Sequence, residues 1–244
     1  MALNPMHQFE VYSIGPEINL GGINLSFTNA SLFMAISAIL ILSLLFFGTK
    51  KKSLIPSKIQ LITEMSYTFI AKMINDTAGS SAKAFFPFVF TLFMFVLFCN
   101  MVGMLPYSFT VTSQIIVTFV LAAIIFIGVT IIGFIKHGIK YLELFVPKGV
   151  PIVLLPLIIV IEIISYLARP VSLSVRLFAN MLAGHTMLKV FGGFVISLGL
   201  LGGWLPLSFS VALTGLEILI AFLQAYVFAI LTCIYLNDAL NLHH

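Results

Sequence analysis

Long apolar stretches alternate with shorter polar connections along this chain. The stretches cover residues 27–48, 84–105, 114–135, 151–201 and 205–238. A helix that spans a bilayer needs about 20 mostly apolar residues, so each stretch predicts one membrane crossing. The last two stretches exceed that length, and a Gly-rich breaker at 199–206 separates them. They therefore predict a long, strongly tilted antiparallel hairpin.

Residues 53–82 follow a different pattern. Apolar residues recur there every three or four positions among charged ones such as Lys58, Glu64 and Asp76, which predicts an amphipathic helix. We place this helix flat on the membrane surface, because the chain offers no soluble domain against which a linker helix would pack. The predicted fold is an all-α integral membrane protein: one membrane domain over residues 1–244, with five crossing helices and one surface helix.

Composition agrees with a membrane protein and excludes two other classes. The chain is 61% hydrophobic and 8% charged, whereas a soluble domain is roughly 45–50% apolar and about 25% charged. A soluble globular enzyme is therefore excluded, and so is a disordered chain, which needs low hydrophobicity and high charge. Cys99 and Cys233 lie inside apolar runs without metal-ligand spacing, so we predict no metal and no cofactor.

The lysines predict the orientation in the membrane. Segments 1–26, 106–113 and 199–206 contain no Lys or Arg, whereas nine lysines fall in the two connections on the opposite side. These are Lys50, Lys51, Lys52, Lys58, Lys72, Lys83, Lys136, Lys140 and Lys148. The positive-inside rule places them and the C-terminus in the cytoplasm or matrix, and the N-terminus outside. Loop topology thus accounts for the net charge of +4, and we predict no nucleic-acid partner.

A few ionisable residues remain within the last two stretches, where a charge is costly and marks a functional site by default. Glu162, Arg169 and Arg176 are spaced by seven residues, so they form one stripe along a helix. Ser172 and Asn180 lie near the same stripe. For Arg169 and for Lys189 a helix-end side chain that snorkels to the interface is an open alternative. Arg176 has apolar neighbours on both sides, which favours a functional role.

Folding the last two stretches at residues 200–201 predicts three matched polar levels. From the outside inwards they pair His185 with Glu217, Arg176 with Gln224, and Glu162 with Asp238. A His–Glu pair can relay protons because imidazole titrates near neutral pH, and a carboxylate on the inner side can do the same. The guanidinium between them does not release its proton, so it separates the two relays and attracts a carboxylate carried by a partner. The small residues Ala179, Ala183 and Gly184 would let a partner helix approach closely.

The run Ala-Arg-Pro-Val-Ser-Leu-Ser-Val-Arg-Leu-Phe-Ala-Asn-Met-Leu-Ala-Gly-His at 168–185 resembles subunit a of F-type ATP synthases, also called subunit 6. Three further segments support the resemblance over nearly the whole chain: Asn100 to Pro106, Glu217 with Gln224-Ala-Tyr, and Tyr235-Leu-Asn-Asp. The family implies that Arg176 is the essential arginine facing the rotating c-ring. It implies an outer half-channel at His185 and Glu217 and an inner one at Glu162. Asn180, Gln224, Ser172 and Asp238 are the supporting polar residues.

The resemblance also implies partners and a location. The c-ring, b-type peripheral-stalk subunits and membrane lipids are the expected partners, with the surface helix 53–82 meeting the stalk. The order of histidine and glutamate resembles the mitochondrial type, so we expect the mitochondrial inner membrane, with the bacterial inner membrane as the alternative. The sequence has no P-loop, so the chain is expected to be a non-catalytic subunit.

Two other functions compete with this interpretation. A self-contained proton or ion channel or secondary transporter would conduct on its own, but the sequence lacks the internal repeat of usual transporter folds. A quinone-linked respiratory subunit is disfavoured because paired histidines with haem spacing are missing.

Overall fold

The computed structural model describes residues 8–15, 19–20, 23–24, 26–50, 55–105, 108–146 and 154–241. Two short strands, β1 (Asn19–Leu20) and β2 (Ile23–Asn24), pair antiparallel. The helices are α1 (Asn29–Lys50), α2 (Lys58–Ala78), α3 (Phe86–Gly103), α4 (Ile115–His137), α5 (Leu155–Gly202) and α6 (Trp204–Leu240). Short 3₁₀ segments cover Ser80–Phe85, Val111–Ser113 and Gly138–Phe145.

Five of these helices, all except α2, are long and apolar enough to cross a membrane. The prediction of an all-α integral membrane protein is thus confirmed. Several predicted features lie outside the described residues: Lys51, Lys52, Pro106, Lys148 and the start of the fourth crossing at 151–153.

The α5–α6 hairpin carries most of the excess length. At about 1.5 Å per residue, 48 residues of α5 and 37 of α6 reach about 72 Å and 56 Å, well beyond a hydrocarbon core of about 30 Å. Such helices fit a bilayer only if they tilt or bend. The chain reverses at the Gly-rich breaker, where Gly199 adopts the left-handed φ of 62° that glycine tolerates.

The buried core lies between α3 and α6. Val89, Phe93 and Val96 of α3 face the small α6 residues Ala225 and Ala229, all almost fully buried in one apolar cluster. Small side chains let the helix backbones approach closely, which compensates for the weak hydrophobic drive between helices in lipid. The core thereby holds α6 in place, and α6 in turn packs against α5.

Helix α2 presents two apolar surfaces rather than one. Ile70 and Ile74 are buried in the same core cluster, while Ile59, Leu61 and Met65 are exposed. The helix begins at Lys58, where the Ser57 side chain caps the backbone N–H of Gln60. The buried face anchors α2 to the bundle, and the exposed apolar face is available to lipid or a partner.

Candidate functional site

His185 of α5 and Glu217 of α6 face each other inside the hairpin. Nδ1 of His185 lies 3.5 Å from Oε1 of Glu217, and the two side chains are 11% and 4% exposed. Neither carboxylate oxygen of Glu217 has a hydrogen-bond partner within the part of the chain that the structure describes. The pair can therefore share one proton, either as imidazolium and carboxylate or as imidazole and carboxylic acid.

Gly184 makes room for this carboxylate. A Cβ placed on Gly184 would lie 2.5 Å from Oε1 and 3.1 Å from Cδ of Glu217. The sequence predicted that Gly184 admits a partner helix. In the structure its open side is filled by the Glu217 carboxylate of the same chain.

The other ring nitrogen of His185 contacts the segment that follows α3. Nε2 lies 3.0 Å from the Thr110 hydroxyl oxygen, and that hydroxyl lies 3.2 Å from the carbonyl oxygen of Gly103. The two imidazole nitrogens thus have polar neighbours in different elements: Nδ1 faces α6, and Nε2 faces the connection between α3 and α4. Sequence reasoning missed Thr110. The available signal is the run of hydroxyl residues in 108–113, within the outer connection.

A cavity of about 770 Å³ leads to His185. The end of α3, α5 residues up to Ile196 and the N-terminal segment 8–12 form its walls, and Glu10 and Lys189 contribute charge to its lining. The N-terminal segment is held by side chains: Asn29 Nδ2 donates to the Glu10 carbonyl at 3.1 Å, and Gln114 Nε2 donates to the Phe9 carbonyl at 2.8 Å. His185 lies in the lining of this cavity, whereas Glu217 does not.

Arg176, unlike His185 and Glu217, lies on an exposed surface of α5. Its side chain is exposed, whereas its neighbours Leu173 and Leu177 are buried behind it. Among the described residues it has no hydrogen-bond or ion-pair partner. A guanidinium on the outer face of a membrane helix is costly unless another group compensates it, so the exposed Arg176 marks a candidate functional surface.

The sequence predicted that Arg176 and Gln224 lie at one level, but the described contacts do not join these two side chains. Gln224, 4% exposed, instead accepts a hydrogen bond from Nδ2 of Asn180 at 3.0 Å. Asn180 lies one turn from Arg176, so the amide reaches Gln224 while the guanidinium stays free. The polar level next to Arg176 is therefore an amide pair.

The sequence also predicted that Glu162 and Asp238 lie at one level, and here too the described contacts join other residues. Asp238 forms an ion pair with Arg169 at 3.2 Å, and the Arg169 guanidinium lies over the rings of Tyr166 and Tyr235 at 5.5 and 5.2 Å. The prediction counted levels along straight helices, but Pro170 interrupts the α5 hydrogen-bond ladder there, and an arginine side chain reaches several Å along the axis. Arg169 is thus paired rather than snorkelling.

Glu162 and Ser172 are placed toward the surface of the hairpin. Glu162 is half-buried and Ser172 exposed, both on α5.

A hydroxyl cluster that the sequence did not indicate lies near Arg169: the Tyr166 hydroxyl is 2.7 Å from the Thr130 hydroxyl and 3.1 Å from that of Tyr141. It joins α4 to α5. Within the described residues, no three His, Cys, Asp or Glu side chains are grouped in a way that could hold a metal ion.

Comparison with known proteins supplies the family. The family model described as ATP synthase A chain matches residues 31–237. A protein of Pelagibacter ubique named ATP synthase subunit a is 78% identical over 244 residues, 100% of both chains. Proteins of the same name from Rhizobium rhizogenes and a Chelativorans species are 60% and 58% identical, over 99% and 100% of this chain and 98% and 100% of theirs.

These relatives are bacterial, so the mitochondrial assignment drawn from the order of His185 and Glu217 is not supported. The match of the family and the relatives over nearly the whole chain agrees with the arginine motif at 168–185. The chain belongs to the ATP synthase A chain family, the family of subunit a of F-type ATP synthases.

Proposed function

We propose that this chain is the proton-translocating stator subunit of a bacterial F-type ATP synthase, with Arg176 separating two half-channels. It is a non-catalytic membrane subunit of that complex. The observation that carries the proposal is the exposed Arg176, which lies outside the lining of the cavity that leads to His185, the neighbour of Glu217. Proton uptake and charge separation are thereby assigned to different faces of one hairpin.

The outer half-channel begins in the cavity. A proton from the outside water reaches His185, passes between Nδ1 and the Glu217 carboxylate, and then protonates a carboxylate of the c-ring. The 3.5 Å separation needs only a small movement or one water molecule for transfer. Because this pair is almost fully buried, few other acceptors compete for the proton.

Arg176 acts on the ring carboxylate that arrives after releasing its proton. The fixed positive charge favours the ionised form of that carboxylate, and it cannot pass a proton onward because arginine stays protonated. The Asn180–Gln224 amide pair offers neutral hydrogen bonds beside it without adding a titrating group. Direct proton transfer between the two half-channels is thereby blocked.

The inner half-channel takes up the released proton. Glu162 and Ser172 lie on α5 on the inner side of Arg176 and are accessible. Asp238 at the end of α6 is ion-paired with Arg169 and adds a polar group there without net charge. A proton leaving the ring carboxylate then passes Glu162 on its way to the cytoplasm.

The remaining surfaces suit the partners. Exposed apolar residues on the Arg176 side of α5, such as Met187, suit the c-ring. The exposed apolar residues of α2 and α1 suit lipids and b-type peripheral-stalk subunits. The lysine distribution places the N-terminus outside the bacterial inner membrane and the C-terminus in the cytoplasm.

Proton conduction by the chain alone distinguishes a stator subunit from a self-contained channel or transporter. We expect the purified chain in liposomes to carry no sustained proton flux under an imposed potential, because each half-channel ends at a ring carboxylate. The same chain in the assembled complex should support proton-driven ATP synthesis. Sustained flux through the chain alone, measured with a trapped pH dye, would contradict the stator function.

Gly184→Ala tests whether the position of the Glu217 carboxylate matters for proton uptake. The added methyl group overlaps Oε1 of Glu217 and must displace it, and a misplacement of about 1 Å in a reacting group can cost about 100-fold. We expect proton-driven ATP synthesis by the assembled complex to fall by about ten- to a hundredfold. Gly128→Ala on α4, where a Cβ meets nothing within 4 Å, is the control. Equal rates for the two variants would contradict the role of this contact.

A further inference from the structure

We propose that Thr110 is a positioning residue for proton uptake: its hydroxyl fixes the tautomer of His185, so that Nδ1 faces Glu217 as a proton acceptor. This inference rests on the proposed function, in which His185 lies on the outer path. It assigns a role to a residue of the connection between α3 and α4, which lies 75 positions from His185 along the chain.

The direction of the hydrogen bonds follows from how many hydrogens are available. Gly103 ends α3, so its carbonyl oxygen is among those without a partner inside the helix. Two hydroxyls reach it, Thr110 at 3.2 Å and Ser108 at 2.9 Å, but Ser108 has a shorter bond to the Leu105 carbonyl at 2.7 Å. A carbonyl oxygen can only accept a hydrogen bond, whereas Nε2 of His185 can donate or accept. We therefore assign the single hydrogen of Thr110 to Gly103, although His185 is nearer at 3.0 Å, and leave the hydroxyl lone pair for His185.

The histidine must then donate from Nε2. A neutral imidazole carries one N–H, and a donor at Nε2 leaves Nδ1 with a bare lone pair 3.5 Å from Oε1 of Glu217. A proton arriving at the pair binds between these two atoms. With the opposite tautomer, Nδ1 would already carry hydrogen and would hold Glu217 as an acceptor only.

The segment that carries the Thr110 hydroxyl is tightly packed. Thr110 is 5% exposed, and its backbone carbonyl accepts a hydrogen bond from the Ser113 hydroxyl at 2.6 Å. A Cβ on Gly103 would lie 2.8 Å from Cγ2 of Thr110 and 3.1 Å from its Cα, so the two segments are in close contact. The ring of His185 therefore meets a fixed partner.

The charged groups around His185 come from three elements. Glu217 faces it from α6, Lys189 follows it by one turn on α5, and Glu10 lies in the lining of the same cavity on the N-terminal segment. The Thr110 hydroxyl is neutral, so removing it leaves these charges in place. Its effect is then on which nitrogen carries the hydrogen.

The test compares three variants in the assembled complex. Thr110→Val removes the hydroxyl at nearly constant shape, and Thr110→Ser keeps it. Thr112→Val is the matched control, because Thr112 is buried in the same segment and its hydroxyl has no partner among the described residues. The readouts are the ¹⁵N spectrum of labelled His185 and the rate of proton-driven ATP synthesis against outside pH.

We expect Thr110→Val to lose the Nε2–H preference and to slow synthesis roughly three- to tenfold, the range for loss of one neutral hydrogen bond. The pH at which the rate is half-maximal should shift as well, whereas Thr110→Ser and Thr112→Val behave as the wild type. An unchanged histidine spectrum in Thr110→Val would overturn the inference. A changed spectrum with unchanged synthesis would instead overturn the route through His185, and thus the proposed outer half-channel.

Discussion

Arg176→Ala in the assembled complex is expected to abolish proton-driven ATP synthesis and to open a passive proton leak. A unit charge about 4 Å from a carboxylate contributes on the order of 4 kcal/mol at an effective dielectric constant of about 20, which is about a thousandfold preference for the ionised form. Without that charge the ring carboxylate keeps its proton at the position where it must release it. The two half-channels also lose the barrier between them.

Two further variants separate charge from packing at this surface. Val175→Ala truncates the exposed neighbour of Arg176 and should leave synthesis within about twofold, as expected for a surface change. Arg176→Lys keeps a positive charge but has a compact ammonium that can deprotonate, so it should retain little synthesis. Synthesis by the alanine variant at the rate of Val175→Ala, measured in liposomes under an imposed potential, would contradict the mechanism.

Glu217→Gln is expected to slow proton-driven ATP synthesis by about 100-fold, within the range for removing a group that transfers protons. The amide has nearly the shape of the carboxylate, so it fits the space beside Gly184, but it does not carry a proton from His185 to the ring. The rate of ring protonation should then depend on rare direct transfer from the cavity. The measurement is the synthesis rate as outside pH is varied.

A second carboxylate of the chain provides the control for this variant. Glu64 lies on α2 and accepts a hydrogen bond from Gln60 at 2.8 Å, far from the hairpin in the sequence. Glu64→Gln removes the same charge and should leave synthesis within about twofold. If the two glutamine variants gave the same rate, Glu217 would not lie on the proton path.

The crossing helices could be predicted because their lengths follow from one constraint, the thickness of a bilayer. Predicted stretches such as 27–48 and 114–135 differ from α1 and α4 by only two residues at most at either end. Pattern alone also identified α2, since its period of three to four residues differs from the uniform apolarity of its neighbours. These are local properties, and the sequence records them directly.

The contacts inside the site depended on tertiary geometry and could be predicted only in part. The contact between His185 and Glu217 could be predicted because these two residues lie nearest to the turn between α5 and α6. An error in the predicted depth of a residue grows with its distance from that turn. Further from it, Pro170 and the reach of Arg169 changed which residues meet. Thr110 was missed because no spacing rule links it to a residue 75 positions away.

The polar contacts of α5 also have a mechanical meaning. In the proposed complex the turning ring exerts a force on α5 that is perpendicular to the helix axis. From Tyr166 to His185, about 28 Å, α5 is fastened to α4 by the Tyr166–Thr130 hydroxyls and to α6 through Arg169, Asn180 and His185. The residues that transfer or separate protons thus lie among the contacts that resist displacement of α5. The same side-chain contacts therefore resist the torque and hold the proton-transferring residues in position.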